Sequence, residues 1–169
     1  GVLYYLVHST VAAALLFLLV AAIARQRPVT GDRVASCTPL AQPTLLGVLF
    51  LGAAAAVAGL PPLSGFIGKV ALLGPALDAP RGVVLWVALL ASGFVALFAL
   101  ARAGSIVFWK THGVSAGVGR VGAGEGAALA LLATLGLALM VFAAPLQRYA
   151  AATARELATP SAYVDLVLG

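Results

Sequence analysis

Four long apolar runs, Leu3 to Ala24, Thr44 to Leu77, Val83 to Ala101 and Ala127 to Leu146, decide what this chain can fold into. Each is close to or above the roughly 20 residues that an α-helix needs to cross a hydrocarbon core. The runs are continuous rather than alternating, which disfavours strands of a transmembrane barrel. Charged residues make up 9% of the chain and the mean hydropathy is +1.11, whereas about a quarter of the residues of a soluble domain are charged. The fold class expected is therefore all-α, a polytopic transmembrane bundle of four spanning segments. The first run does not read as a signal peptide, because it carries His8, has no basic segment ahead of it and lacks a small-residue cleavage site. The sequence opens on Gly1, inside an apolar run and without methionine, which reads as a piece of a longer protein.

The second run is too long for one straight helix. Its 34 residues would extend about 51 Å, against a hydrocarbon core of about 30 Å. The break is expected at Gly59–Gly65, where the sequence reads GLPPLSG. Pro61 and Pro62 remove two backbone donors and disfavour helix at the residues before them, while Gly59 and Gly65 supply flexibility. Ser64 is placed to cap the helix that follows. The segments expected are helices at about 3–24, 44–58 with 64–76, 83–108 and 125–146, then an interfacial tail over 147–169, all in one membrane domain. Irregular backbone at membrane depth is tolerated where it is buried in protein or lines a wet cavity. The break thus predicts a polar interior with partners on other helices.

Lys69 stands five residues beyond Ser64. An ammonium at bilayer depth is costly, and the early turns of a helix add the positive end of its dipole. Both effects act against the charged form, so a reversible proton exchange is the functional reading, and snorkelling to the interface the structural one. His8, with Ser9 and Thr10, forms a polar cluster in the first run. Histidine relays protons near neutral pH and equally serves as a hydrogen-bonding group between helices.

The other polar residues point away from chemistry. Cys37 is the only cysteine, which excludes an internal disulfide and offers no metal cluster. His112 lies in a loop without ligand partners, and neither it nor Ser105 has an acid near enough in sequence to suggest a hydrolase triad. No Walker sequence and no G-x-G-x-x-G occurs, so neither ATP nor a dinucleotide is expected, and no cofactor or metal. The net charge of +5 is spread over loops and helix ends, unlike a nucleic-acid-binding patch. Arg25, Arg27 and Arg33 mark one loop, and Arg102, Lys110 and Arg120 another, while the hairpin between them holds only Asp78 and Arg81. The positive-inside rule then makes the loops at 25–43 and 102–124 cytoplasmic and puts both ends of the chain outside. Arg102, Trp86, Trp109 and Lys110 read as helix-end anchors. Ala91, Ser92 and Gly93 are small enough to admit a neighbouring helix. Ser161, Tyr163 and Leu166 suggest a last helical turn that docks on a neighbour.

The segments YYLVHSTVAAALLFLL, GLPPLSGFIGK and ASGFVALFALARAGSIVFWK, in that order, resemble the antiporter-like membrane subunits shared by Mrp-type cation/proton antiporters and the proton-pumping arm of respiratory complex I. The stretch Ala101 to Trp109 and the ending PSAYVDLVLG are similar to the D-type subunit of the Mrp branch. The resemblance covers nearly the whole chain and implies the last four of fourteen helices, with the broken one as the twelfth. It implies that Lys69 is the ionisable residue of that broken helix, in a hydrophilic axis along the membrane plane, and that His8 contributes to the same axis. A glutamate and two lysines that the family carries on earlier helices have no counterpart in this sequence.

The function expected is that of a proton-translocating subunit of a multisubunit sodium/proton antiporter, a secondary transporter rather than an enzyme. It would sit as a multi-pass protein in the cell's inner (plasma) membrane, with lipid, other membrane subunits, protons and monovalent cations as its partners and no nucleic acid. Two rivals remain: a proton-pumping subunit of an NADH or ferredoxin:quinone oxidoreductase or related hydrogenase, and a structural bundle in which Lys69 and His8 only tie helices together.

Overall fold

The computed structural model describes residues 1–27, 34–35, 38–77, 80–112 and 119–158. Cys37, Asp32, Arg33, Asp78 and the docking turn with Ser161, Tyr163 and Leu166 lie outside the described residues. The described chain is a bundle of α-helices without a strand. α1 (Val2–Arg25), α4 (Gly82–Gly104) and α5 (Ala123–Val141) are joined by the shorter α2 (Pro43–Ala58), α3 (Ser64–Ala76) and α6 (Ala143–Ala158). α4 runs on through a π-helical turn, Ser105–Trp109. Among the described residues, three helices are each long and apolar enough to cross a membrane: α1, α4 with its π turn, and α5. α2 and α3 follow one another across the break, so the second apolar run divides as the membrane-bundle reading expects.

Local chemistry sets the boundaries. Pro43 takes the first turn of α2, where its missing N–H is no loss. α5 carries Glu125 in its first turn, against the positive end of the helix dipole. α5 ends at Val141, and α6 begins at Ala143 where the sequence reading carries one helix to residue 146. Pro145 has no N–H to offer the Val141 carbonyl, so the helical ladder cannot run through unbroken. The next turn restarts from Phe142, whose carbonyl accepts from the Leu146 N–H at 3.1 Å.

α1 is the centre of the bundle and touches α2, α3, α5 and α6. Its Leu15, Leu19, Ala22 and Ile23 form the main core with Leu46 and Ala53 of α2 and Leu129 of α5. At the other end of α1, the Tyr4 hydroxyl donates to the Leu139 carbonyl of α5 at 2.8 Å. α4 lies against α2 and α3, and its buried residues are Gly82, Gly93 and Gly104. They recur every eleven residues, about three turns, so they share one face. Of the small cluster on α4, Gly93 makes the close approach, while Ala91 and Ser92 are exposed. The Trp86 indole N–H is buried near Ala76 and Leu77 without a partner among the described residues.

One end of the bundle carries Arg25, Arg27, Lys110 and Arg120. The Arg25 guanidinium pairs with Glu125 at the start of α5, and that of Arg27 donates to the Ala35 carbonyl. Gln26 and Gln42 hold the loops between them: Gln26 Oε1 accepts from the Ala41 N–H at 3.0 Å, and Gln42 Oε1 from the Val121 N–H at 2.9 Å. Phe108, near Lys110, packs on Phe50 of α2 at this same end.

Candidate functional site

The break between α2 and α3 is built from two helix ends. At the first, Gly59 adopts a left-handed conformation with φ of 82°, which a side chain would disfavour. Its N–H bonds the Ala56 carbonyl at 3.2 Å, and the Leu60 N–H bonds the Ala55 carbonyl at 3.0 Å. This is a Schellman closure, and it satisfies two of the four carbonyls that a helix leaves free at its C-terminus. The remaining two belong to Val57 and Ala58. Lys69 Nζ, reaching back from α3, donates to Ala58 O at 2.7 Å and more weakly to Val57 O at 3.5 Å. Every carbonyl at the end of α2 thus has a donor, although the lysine belongs to the next helix.

This geometry changes the electrostatics drawn from sequence. Lys69 begins in the early turns of α3, but its ammonium ends at the carbonyl terminus of α2. There the partial negative charge of the helix end favours a cation. Lys69 is 8% exposed, and the charge-assisted bond to Ala58 compensates for that burial.

The second helix end receives α1. His8 is 4% and Ser64 is 3% exposed, and His8 Nδ1 shares a hydrogen bond of 2.9 Å with Ser64 Oγ. Ser64 therefore does not cap α3: the cap position falls to Leu63, and no side chain caps it. The hydroxyl is engaged by an imidazole that would otherwise be buried unpaired. Ser9 and Thr10 turn their hydroxyls back to the Leu6 carbonyl, so of that polar cluster only His8 reaches the break. A Cβ at Gly65 would stand 2.9 Å from His8 Nε2 and 3.0 Å from the Ala56 carbonyl carbon. The absence of that Cβ lets α1, α2 and α3 meet. Gly65 lies one turn before Lys69, and the lysine's bonds go to Val57 and Ala58 rather than to His8. A cavity of about 260 Å³ adjoins His8 and Ser64 and runs between α1, α2 and α5, lined otherwise by apolar side chains such as Leu15, Val48 and Leu132.

Lys69, His8, Gly59 and Gly65 all meet at this break, with Pro61 and Pro62 in the turn between the helices. Sequence reading missed the Ala58 carbonyl, since an orphan backbone group has no signature of its own. It also missed Gly93 of α4, which closes over the lysine: a Cβ there would stand 2.6 Å from Lys69 Nζ and 3.0 Å from Ala58 O. Among the described residues, no group of His, Cys, Asp and Glu could hold a metal ion.

A helix bundle with apolar helices long enough to cross a membrane, one of the apolar runs interrupted beside a buried ionisable side chain, defines the class as a polytopic membrane protein with a broken helix. Residues 1–98 match the family described as NADH:quinone oxidoreductase/Mrp antiporter, TM, and the chain belongs to it. Across 99% of its length it is 30% identical to the D subunit of a probable K(+)/H(+) antiporter of Rhizobium meliloti (strain 1021), covering 36% of that protein. It is also 30% identical, again over 99% of its length, to the D subunit of the Na(+)/H(+) antiporter of Alkalihalophilus pseudofirmus, covering 34% of that one. The chain thus spans about a third of the length of these curated relatives. No solved structure matches it significantly.

Proposed function

We propose that this chain is part of a proton-translocating subunit of a multisubunit monovalent cation/proton antiporter, with Lys69 and His8 as relay residues. The observation that carries the reading is the Lys69 ammonium, buried at a helix break and bonded, among the described residues, to backbone alone. An ionisable group at membrane depth that is held by carbonyls rather than by a carboxylate is free to change its charge without leaving a counter-ion stranded. In the relay, the ammonium gives a proton to water or to a neighbouring base and becomes a neutral amine, then takes a proton back from the other side. His8, tied to Ser64 at the start of α3, offers a second exchangeable site. The change of charge acts on the rest of the assembly through the low-dielectric interior.

The basic end of the bundle, with Arg25, Arg27, Lys110 and Arg120, faces the cytoplasm in this reading. Both ends of the chain then face outward, in the cell's inner membrane among other membrane subunits. Sodium is the cation to assay first, with potassium beside it, because the relatives' names include both. The family description also names NADH:quinone oxidoreductase, which keeps a redox-driven pump as the second reading. Co-purifying flavin and iron-sulfur proteins would favour that one, and several small membrane subunits the antiporter.

The test is cation-dependent proton flux in inverted vesicles bearing the complete assembly. Lys69→Ala is expected to remove most of the flux while the assembly still forms. Undiminished flux with normal assembly would refute the relay.

A further inference from the structure

We infer that Gly93 is a positioning residue for Lys69: the bare face of α4 presses the ammonium against the last carbonyls of α2 and so ties the shape of the helix break to the charge on residue 69. The inference deepens the proposed relay and rests on that reading for its functional meaning, although the positioning is testable by itself.

Three observations carry it. The Schellman closure at Gly59 leaves Val57 and Ala58 as the unmet carbonyls of α2, and Lys69 Nζ is the donor that meets them. Gly93 is one of the buried residues of a helix whose other side chains are mostly exposed, and it lies over this contact. A Cβ at Gly93 would come within 2.6 Å of Nζ and 3.0 Å of Ala58 O. The nearest obstacle is the far end of a flexible side chain, so an added methyl displaces the ammonium before it displaces the helices. Gly59 also borders the lysine's space, since its Cβ would stand 2.9 Å from Nζ, but its positive φ gives that glycine a separate reason to be there. Gly93 has no such backbone requirement. What its missing methyl provides is the room in which the ammonium sits.

The charge dependence follows from the bond. A protonated lysine makes a charge-assisted bond to Ala58 and complements the negative end of α2, whereas a neutral amine makes an ordinary one and loses the dipole term. Proton loss at residue 69 therefore loosens the end of α2, and proton gain tightens it. The titratable groups facing this region come from α1: His8, and Tyr4 and Tyr5 beside Gly68. On α4 and α5 the charged side chains described are Arg102 and Glu125, both toward the opposite, basic end; α2 carries none.

The experiment is amide hydrogen exchange at Gly59 and Leu60, followed by mass spectrometry in the assembled complex, for wild type, Gly93→Ala, Lys69→Met and the double variant. Gly52→Ala is the control, since a Cβ on that α2 glycine meets nothing within 4 Å. Losing one charge-assisted bond is expected to speed exchange about tenfold in Gly93→Ala and in Lys69→Met. In the Lys69→Met background the glycine substitution should add less than about twofold, because there is no ammonium left to displace. Wild-type exchange in Gly93→Ala overturns the inference, as does an equal added effect in both backgrounds, which would mark Gly93 as a packing residue only. Flux measured on the same samples separates the two proposals. Coupled exchange with full transport in Lys69→Met leaves the positioning standing and removes the relay. Uncoupled exchange with transport lost does the reverse.

Discussion

Gly65→Ala should be far more damaging than its chemistry suggests, and the structure gives the reason. In a helix, replacing glycine by alanine usually gains up to about 1 kcal/mol. At Gly65 the new methyl would stand 3.0 Å from the Ala56 carbonyl carbon, closer still to its oxygen, and 2.9 Å from His8 Nε2. Carbon atoms prefer separations of about 3.5–4.0 Å. The Ala56 obstacle is backbone, in a turn held by the Gly59 and Leu60 hydrogen bonds, so α3 has to back away as a body. Overpacking of this kind costs about 1–3 kcal/mol. Withdrawal of α3 also stretches the 2.9 Å bond between Ser64 and His8, which adds about 1 kcal/mol. Offsetting the helix gain leaves a net loss of about 1–3 kcal/mol. Gly52→Ala, made in open space on α2, should show the gain alone. The assay is heating of the purified assembly followed by size-exclusion detection of the tagged chain. Gly65→Ala is expected to aggregate at a lower temperature than wild type, and Gly52→Ala at the same or a higher one. Equal behaviour of the two variants would refute the close approach of α1, α2 and α3 at the break.

Two further outcomes follow from the same geometry. Ser64→Ala leaves the buried His8 Nδ1 without its partner, so a stability loss of about 1–3 kcal/mol is expected in the same heating assay, and Ser64→Thr should recover most of it; no loss would mean that His8 finds another partner. Lys110→Cys, in a background where Cys37 and every cysteine outside these 169 residues are serine, should react with an impermeant maleimide in inverted vesicles but not in intact cells; the opposite pattern would reverse the orientation taken from the basic loops.

The sequence makes the bundle legible because lipid leaves few choices. A run too long for the bilayer with Pro61-Pro62 inside it has to break, and Gly59 and Gly65 mark where. Lys69 is conspicuous by being charged among apolar neighbours. The details that depend on three-dimensional meeting are less legible. Ser64 has the composition of a cap, but its hydroxyl serves a histidine 56 residues away. The dipole acting on Lys69 is read from its own helix, whereas the ammonium is held by the end of the preceding one. Gly93 looks like one small residue among Ala91 and Ser92, and its role depends on which face of α4 meets the break. Pro145, read within an apolar run, ends α5 because the missing donor is local, so that boundary was available from the sequence rule for proline.

The central claim is that Lys69 works by giving up and regaining a proton, beyond holding the end of α2. Lys69→Arg separates the two roles, because arginine supplies donors and charge to the Ala58 carbonyl but does not deprotonate in proteins. Cation-dependent proton flux in vesicles containing the assembled Lys69→Arg complex is the direct measurement. The account predicts flux below about a tenth of wild type with the assembly intact. Flux at the wild-type level in that variant would contradict it and leave Lys69 as a structural cap.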